Sequence, residues 1–168
     1  MTVYCQTLIG TPVGDLEVVA TDTTVTAIHF LSEAGARARV DHPNRLTAQA
    51  ERELNDYFAG QRIRFEVPLA PAGTEFQQAC WRALQAIPFG QTASYADQAV
   101  AIERPSAVRA VGAANGANPL PIVIPCHRVI GKNGQLTGYA GGMARKQWLL
   151  AHERDQLSLV TAPSTDTE

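Results

Sequence analysis

Residues 74–116, TEFQQACWRALQAIPFGQTASYADQAVAIERPSAVRAVGAANG, decide the fold of the second half of the chain. Two residue pairs in this stretch have the spacing of a capping box, Thr74 with Gln77 and Ser94 with Asp97. The two side chains of a capping box satisfy backbone N–H groups that the first helical turn leaves free, so each pair predicts a helix start. A third start is predicted at Arg104-Pro105-Ser106. Short helices joined this tightly are typical of a helix-turn-helix motif.

The chain before this stretch predicts a small antiparallel sheet and one helix. Runs rich in β-branched residues, separated by turn signals, predict three strands at Val3–Ile9, Asp15–Ala20 and Val25–Phe30. Apolar residues at helical spacing predict a helix over Leu46–Phe58, and a short strand is predicted at Ile63–Val67. We therefore expect an α+β fold.

The Pro- and Ala-rich segment 68–73 is predicted to link two domains. We expect a small antiparallel-sheet α/β domain over residues 1–67 and a mostly helical domain of winged helix-turn-helix character over residues 74–155. A last helix is predicted at Ala144–Arg154, after a glycine-rich loop. Residues 156–168 are expected to form a flexible tail.

Composition and charge exclude several classes of protein. The apolar runs are far shorter than the roughly 20 residues needed to cross a bilayer, and the start MTVYCQT lacks a signal-peptide core. We therefore expect no membrane association and a cytoplasmic location. Three cysteines without a C-x-x-C pair favour reduced thiols over a disulfide framework. The net charge is −2, but residues 74–155 carry eight Lys/Arg against five Asp/Glu, which places the positive charge with the helix-turn-helix.

The segment Ile124-Pro125-Cys126-His127-Arg128-Val129-Ile130 contains the candidate reactive group. A cysteine reacts as its thiolate and needs a neighbouring base or positive charge, which His127 and Arg128 can supply. Adjacent residues of an extended chain point in opposite directions, so a bridging water and an orienting carboxylate would be needed. From these residues alone, a reactive thiol and an inert core thiol both stay open.

A longer ordered set of motifs resembles one protein family. It comprises Phe89-Gly90, Ser94-Tyr95, Arg109-Ala110-Val111-Gly112, Asn118-Pro119, PCHRVI at 125–130, TGYAGG at 137–142, KQWLL at 146–150 and His152-Glu153. With these motifs, residues 74 to about 155 resemble the O6-alkylguanine-DNA alkyltransferase family, and a looser match continues through TPVGDL at 11–16 and YFAG at 57–60. The resemblance implies a ribonuclease H-like N-terminal domain and direct-reversal DNA repair. In such repair an alkyl group passes irreversibly from O6-alkylguanine to a cysteine of the protein, once per molecule.

The resemblance also implies a role for each candidate catalytic residue. Cys126 corresponds to the cysteine that accepts the alkyl group. His127 corresponds to the general base that acts on the thiol through water, and Glu153 to the carboxylate that orients the base. Asn118 corresponds to the asparagine that supports this network, and Tyr95 to the tyrosine that donates a hydrogen bond or proton to the guanine ring.

The same resemblance implies how DNA is bound. The damaged nucleotide must be flipped out of the duplex, and Arg109 corresponds to the arginine that fills the gap from the minor groove. Small residues on its helix would let the backbone approach the DNA closely. The expected DNA-contacting residues are Ser94, Arg109, Gly112, Ala113, Gly116 and Arg128. The expected pocket residues are Tyr95, Cys126, Val129, Tyr139 and Ala140; many relatives carry serine at the position of Ala140, which leaves only a backbone donor here.

The remaining implications concern partners and cofactors. We expect a monomer that binds double-stranded DNA without a cofactor, and cooperative binding, O4-alkylthymine repair and alkyl size stay open. Some relatives carry an N-terminal zinc site, but Cys5 and His29 lack two further convincing ligands, so no metal is expected. Two other functions stay open. One is a helix-turn-helix module that binds alkylated DNA without repairing it, and the other is a cysteine hydrolase that uses Cys126 and His127.

Overall fold

The computed structural model of the chain describes residues 1–161. Its N-terminal part is an antiparallel meander of β1 (Tyr4–Thr11), β2 (Gly14–Ala20) and β3 (Val25–Leu31), in that order. The predicted meander is thereby confirmed. Gly10 and Gly14 flank the first turn with φ angles of 71° and 94°, which side chains larger than hydrogen rarely allow.

Two helices follow the sheet. Helix α1 (Glu33–Ala38), capped by Ser32, was not predicted, whereas α2 (Arg45–Phe58) lies where the apolar spacing placed it. The buried apolar face of α2 packs on the sheet and consists of Leu46, Ala50, Leu54 and Tyr57. At about 25 cal/mol per Å² of apolar surface removed from water, burial of this face stabilises the N-terminal part.

The predicted strand at Ile63–Val67 is wrong. The N–H groups of its last two residues donate to the buried Glu53 carboxylate at 2.7 and 3.1 Å, so they are not free to join a strand ladder. Strand pairing occurs instead in the predicted linker. Val25 donates to the Pro68 carbonyl and accepts from the Ala70 N–H, at 2.8 and 3.0 Å. The first half of the linker is therefore attached to the sheet beside the start of β3.

Three helices form the centre of the C-terminal part, α3 (Glu75–Gln85), α4 (Tyr95–Ala101) and α5 (Val108–Gly116). Both predicted capping boxes are present and begin α3 and α4, because each capping side chain accepts a backbone N–H while its partner reaches back. Helix α5 begins at Val108, two residues beyond the predicted start, and has no side-chain cap.

Buried hydrogen bonds made by side chains connect the three helices of this part. Gln98 of α4 and Asn115 of α5 exchange two hydrogen bonds of 2.8 and 2.7 Å. The indole N–H of Trp81 on α3 donates to the Ala114 carbonyl at 2.9 Å. Because buried polar groups without partners are costly, these paired groups hold the three helices in one arrangement. The predicted fold class is confirmed.

The site-bearing segment lies between α5 and the last helix. A 3-10 turn at Cys126–Arg128 leads into β5 (Val129–Ile130), which pairs in parallel with β4 (Ala93–Ser94). Helix α6 (Met143–Thr161) continues seven residues beyond the predicted end at Arg154, so the first residues of the predicted tail are helical. The expectation for residues 162–168 lies outside the described residues. No helix within residues 1–161 is both long and apolar enough to cross a membrane.

Candidate active site

Cys126 lies on the wall of a cavity of about 530 Å³ between α5 and the loop that precedes α6. Four of the five predicted pocket residues line it, namely Tyr95, Cys126, Tyr139 and Ala140. Two residues predicted for DNA contact, Gly112 and Gly116, also belong to its wall. The remaining lining was not predicted and consists of Val108, Asn115, Gly131, Thr137 and Gly138.

The chain that leads to Cys126 is bent and tightly held. Ile122 has a φ of 75°, a conformation that β-branched residues rarely adopt. The Asn118 side chain brackets this bend, because its amide donates to the Ile124 carbonyl at 2.7 Å and its oxygen accepts from the Leu120 N–H at 2.9 Å. Asn118 thus fixes the backbone that presents Cys126 to the cavity.

The Cys126 side chain is a buried thiol. Burial raises the pKa of this thiol, and the Asn118 amide and the Lys146 ammonium group lower it without cancelling the effect of burial. A raised pKa leaves the thiol protonated at neutral pH. The nucleophilic form therefore needs a base that removes the proton.

His127 is fully buried and bonded on one side. Its Nε2 atom lies 2.7 Å from Oε2 of Glu153, whereas its Nδ1 atom has no hydrogen-bond partner among residues 1–161. Burial lowers the pKa of His127, and the neighbouring Glu153 carboxylate only partly offsets this. The ring is therefore neutral at pH 7. With Nε2–H donating to Glu153, Nδ1 carries a lone pair that can accept a proton.

The Glu153 carboxylate accepts several hydrogen bonds besides its contact with His127. Its carboxylate accepts hydrogen bonds from Arg128 Nε and Nη2 at 2.7 and 3.1 Å and from the Tyr57 hydroxyl at 2.6 Å. Burial alone would raise the pKa of Glu153, but the hydrogen bonds from His127 and Arg128 and the positive charge of Arg128 hold it far below its ordinary value. Glu153 is a permanent carboxylate that fixes the tautomer of His127.

Two sequence predictions need correction. Arg128 was expected to contact DNA, but it is 7% exposed, and its guanidinium group is bonded to Glu153 and to the Ile87 carbonyl at 2.7 Å. Its donors are directed inward, so it belongs to the support of the site. Val129 was expected to line the pocket, but its side chain is fully buried elsewhere and the cavity lining does not include it.

Lys146 is a site residue for which the sequence motifs predicted no role. It is fully buried, and its Nζ atom donates to the Val129 and Thr137 carbonyls at 2.6 and 2.7 Å. These bonds attach the pocket loop to the strand after Cys126. A signal was available, since Lys146, Leu149 and Glu153 have the spacing of one helix face. Charged residues on the same helix face as Leu149 are expected to be buried with it and to bond to groups inside the protein.

Two tyrosines face the cavity. The hydroxyl of Tyr95 accepts from Thr137 Oγ1 at 3.3 Å, which leaves its own hydrogen available for donation. The hydroxyl of Tyr139 is buried without a partner in the described residues, and burial raises its pKa well above the ordinary value. The Tyr139 phenol is therefore a protonated donor at neutral pH.

Helix α5 presents small residues and one cation to solvent. Arg109, Ala113 and Gly116 are exposed on it. Gly112 packs near the pocket, where an added Cβ would lie 3.8 Å from the Tyr95 ring. Ser94 is half-buried, and its hydroxyl accepts from the Asp97 N–H as a helix cap. DNA contact by these residues stays a prediction.

The other cysteines have surroundings unlike those of Cys126. All three cysteines are free thiols. Cys80 is buried, and burial raises its pKa, while Cys5 contacts the Val40 carbonyl at 3.6 Å. Within residues 1–161, no group of three or more potential metal ligands lies together.

Two family models match the chain. The 6-O-methylguanine DNA methyltransferase, DNA binding domain, matches residues 75–155, and the ribonuclease-like domain of the same family matches residues 4–71. The methylated-DNA–protein-cysteine methyltransferase of Mycolicibacterium paratuberculosis is 46% identical over 149 residues, which cover 87% of this chain and 90% of that protein. The constitutive methylated-DNA–protein-cysteine methyltransferase of Bacillus subtilis is 47% identical over 154 residues, which cover 86% and 92%.

A solved structure agrees with these matches. Mycobacterium tuberculosis OGT in complex with DNA superposes with a TM-score of 0.81 at 42% identity, and the match covers 90% of this chain and 93% of that one. Sequence and fold thus point the same way over both halves of the chain. The chain therefore belongs to the 6-O-methylguanine DNA methyltransferase family.

Proposed function

We propose that this chain repairs DNA by transferring the methyl group of O6-methylguanine to its own Cys126, after the base has been flipped out of the duplex. The observation that carries the proposal is the Cys126 thiol, which borders a cavity of about 530 Å³ next to a neutral, buried His127. Relatives 46% and 47% identical are named for methyl transfer from DNA to a protein cysteine, which supports the same reaction here.

The transfer is an in-line displacement at the alkyl carbon. His127 Nδ1 takes the thiol proton of Cys126 through a bridging water, and the sulfur forms a bond to the carbon as the bond from carbon to guanine O6 breaks. The electron pair of the broken bond goes to the guanine, which takes up a proton with Tyr95 as the donor. The Glu153 carboxylate, 2.7 Å from His127 Nε2, stabilises the imidazolium that forms.

The proposed product explains why each molecule acts once. The thioether on Cys126 has no leaving group that water or His127 can displace easily, and no second thiol stands in the cavity lining. Repair of each lesion therefore consumes one protein molecule. Thiol, base and proton donor all come from the chain, so the step requires no cofactor.

The DNA complex is proposed to form along α5, in the minor groove. Arg109 is exposed on this helix and would fill the gap that the flipped nucleotide leaves, while Ala113 and Gly116 allow close approach of the sugar-phosphate backbone. Binding in the minor groove reads sequence poorly, which suits a protein that must act on guanine in any context. The DNA complex of the related OGT supports binding by this domain.

We further propose that the chain works as a monomer in the cytoplasm. The three free thiols suit a reducing compartment. Sedimentation with a short duplex would test the stoichiometry, and a second protein bound to a single-lesion duplex would indicate cooperative assembly instead.

Intact-mass measurement tests the function directly. The protein is incubated with a duplex that carries one O6-methylguanine, and a gain of one methyl group per molecule is expected. Cys126→Ala should gain none, whereas the matched control Cys5→Ala should gain one, because its thiol lies outside the cavity. Tight binding without a mass gain would indicate a module that only recognises alkylated DNA. Turnover beyond one equivalent would indicate a hydrolase.

A further inference from the structure

Tyr57 connects the N-terminal domain to the reactive centre. It lies near the end of α2, is fully buried, and its hydroxyl donates to Oε2 of Glu153 at 2.6 Å. The same oxygen lies 2.7 Å from Nε2 of His127. Tyr57 lies 96 positions before Glu153 in the sequence and shares one oxygen of its carboxylate with the proposed base.

Both the backbone and the side chain of Tyr57 are held by neighbouring residues. His152, the neighbour of Glu153 on α6, lies with Nε2 2.7 Å from the Tyr57 carbonyl. The Tyr57 ring is packed between aromatic rings, with centroid distances of 5.2 Å to His152, 5.5 Å to Phe65 and 6.2 Å to Phe89. Such packing leaves one rotamer and directs the hydroxyl at Glu153. The hydrogen bond is therefore preorganised rather than one of several alternatives.

We propose that Tyr57 is a positioning residue for alkyl transfer, which acts through the Glu153 carboxylate on His127. The inference rests on the proposed function, in which neutral His127 takes the Cys126 proton. Oε2 of Glu153 is bonded to three groups, which are the Tyr57 hydroxyl at 2.6 Å, His127 Nε2 at 2.7 Å and Arg128 Nη2 at 3.1 Å. The position of this oxygen sets the orientation of the imidazole ring. Without the Tyr57 hydroxyl, Oε2 is held only by Arg128 and His127 and shifts toward the guanidinium group, so that the lone pair on His127 Nδ1 turns away from the thiol.

The hydroxyl also sets the charge that His127 experiences. The charged groups around His127 are the Glu153 carboxylate and the cations Arg128 and Lys146. A hydrogen bond from Tyr57 withdraws negative charge from Glu153. Loss of this bond leaves more negative charge on the carboxylate, which favours the protonated imidazole. We therefore expect the neutral base to appear only at higher pH in a variant that lacks the hydroxyl.

Tyr57→Phe tests the inference because it removes one oxygen and keeps the ring packing. Single-turnover methyl transfer is measured from pH 5 to 9 on duplex DNA. We expect a roughly tenfold slower rate at neutral pH and an acidic limb that moves up by about half a unit, with DNA affinity within about twofold of the wild type. The matched control is Tyr4→Phe, which removes an exposed phenol-to-carboxylate bond of 2.9 Å to Asp22. The control should react at the wild-type rate.

A second background separates positioning from general support. In His127→Ala, which lacks the base, Tyr57→Phe should slow transfer by less than about twofold, because residues that act through each other are not additive. The same tenfold loss in both backgrounds would overturn the inference. So would wild-type rates and an unchanged pH profile in Tyr57→Phe.

A substrate-free measurement distinguishes failure of this inference from failure of the proposed function. The Nε2–H resonance of His127 in the NMR spectrum should shift in Tyr57→Phe and stay in place in Tyr4→Phe. An unchanged His127 resonance overturns the positioning role even if methyl transfer occurs. Absence of methyl transfer in the wild type overturns the proposed function, whatever the resonance does.

Discussion

The relay cluster (Tyr57, His127, Arg128 and Glu153) and the α5 face (Arg109, Ala113 and Gly116) are built on opposite principles. Each member of the relay cluster is buried, and the hydrogen bonds from the other three members to Glu153 measure 2.6 to 3.1 Å. Three separate segments contribute to it, α2, the 3-10 turn and α6. The α5 face comes from one short helix and is exposed. Proton transfer requires groups in a fixed geometry, whereas binding to DNA of any sequence requires only an accessible surface. The relay cluster is therefore fixed by buried hydrogen bonds, and the α5 face is left exposed.

The difference predicts two kinds of failure. Removal of a charge from the relay cluster leaves buried partners uncompensated, so stability and chemistry are lost together. A change on the α5 face touches no such network, so the fold should persist while the reaction with duplex DNA is impaired. Paired measurements of unfolding and of methyl transfer can therefore assign any variant to one region.

The largest expected effect is that of Glu153→Ala. The substitution removes the acceptor of His127, Arg128 and Tyr57 together, and a broken buried ion pair costs about 3–5 kcal/mol. Urea unfolding should report a loss of that size, and methyl transfer should be abolished. Asp155→Ala on the same helix is the control. Its exposed pair with Arg154 has a separation of 3.5 Å and should contribute under about 1 kcal/mol. Equal losses in the two variants would contradict the special status of the buried pair.

Arg109→Ala should have the next largest effect, and only on the duplex reaction. Flipping a nucleotide costs a few kcal/mol, so loss of the side chain that fills the gap should slow duplex repair by about 10- to 100-fold. The reaction with free O6-methylguanine base requires no flipping, so its rate should be unchanged. The free energy of unfolding should be unchanged as well. Arg82→Ala, which removes an exposed cation from α3, is the matched control. Similar losses on base and duplex would contradict the assigned role.

The sequence predicted features that depend on neighbouring residues. Capping boxes are complete within four residues, so Thr74 with Gln77 and Ser94 with Asp97 identified helix starts correctly. The meander was predictable because alternating strands and glycine turns are also local. The strand expected at Ile63–Val67 was wrong because Glu53, on a preceding helix, takes up its N–H groups. No window of a few residues contains that information.

Motifs predicted the roles of several site residues, but not the contacts between residues that are distant in the sequence. The family resemblance supplied the roles of Cys126, His127 and Glu153, and the structure places His127 and Glu153 in contact. Arg128 was misassigned because an arginine beside a reactive cysteine fits a DNA contact as well as an internal one. Its partners, Ile87 and Glu153, are 41 and 25 positions away. Tyr57 belonged to the predicted helix Leu46–Phe58, but its hydroxyl contact with Glu153 depends on how the two halves of the chain pack together.

Tyr95→Phe tests the boundary between the two regions, because Tyr95 starts α4 and faces the cavity. Removal of a proton donor from the leaving group should lower the methyl-transfer rate by about tenfold or more, since general acid catalysis contributes roughly 10²- to 10⁴-fold. DNA affinity should be unchanged. The substitution also removes the hydroxyl that accepts a hydrogen bond from Thr137 at 3.3 Å. This hydrogen bond is exposed, so water can replace the lost acceptor. Single-turnover rates and a DNA titration on the same sample check both statements, and a large loss of affinity would make Tyr95 a structural residue.

The smallest expected effect is the pH dependence of stability, which should originate in the relay cluster. Folding lowers the pKa of His127, so below about 6.5 the unfolded chain binds a proton that the folded chain does not. Stability is therefore full above this value and falls as the pH decreases. Folding also lowers the pKa of Glu153, which adds a second loss of stability below about pH 4.3.

Urea unfolding at several pH values should show a slope of up to about 1.4 kcal/mol per pH unit between pH 6.5 and 5. His127→Asn should flatten this slope, whereas Arg109→Ala should keep it, because no α5-face residue takes part. A slope that persists in His127→Asn would place the titrating group outside the relay cluster.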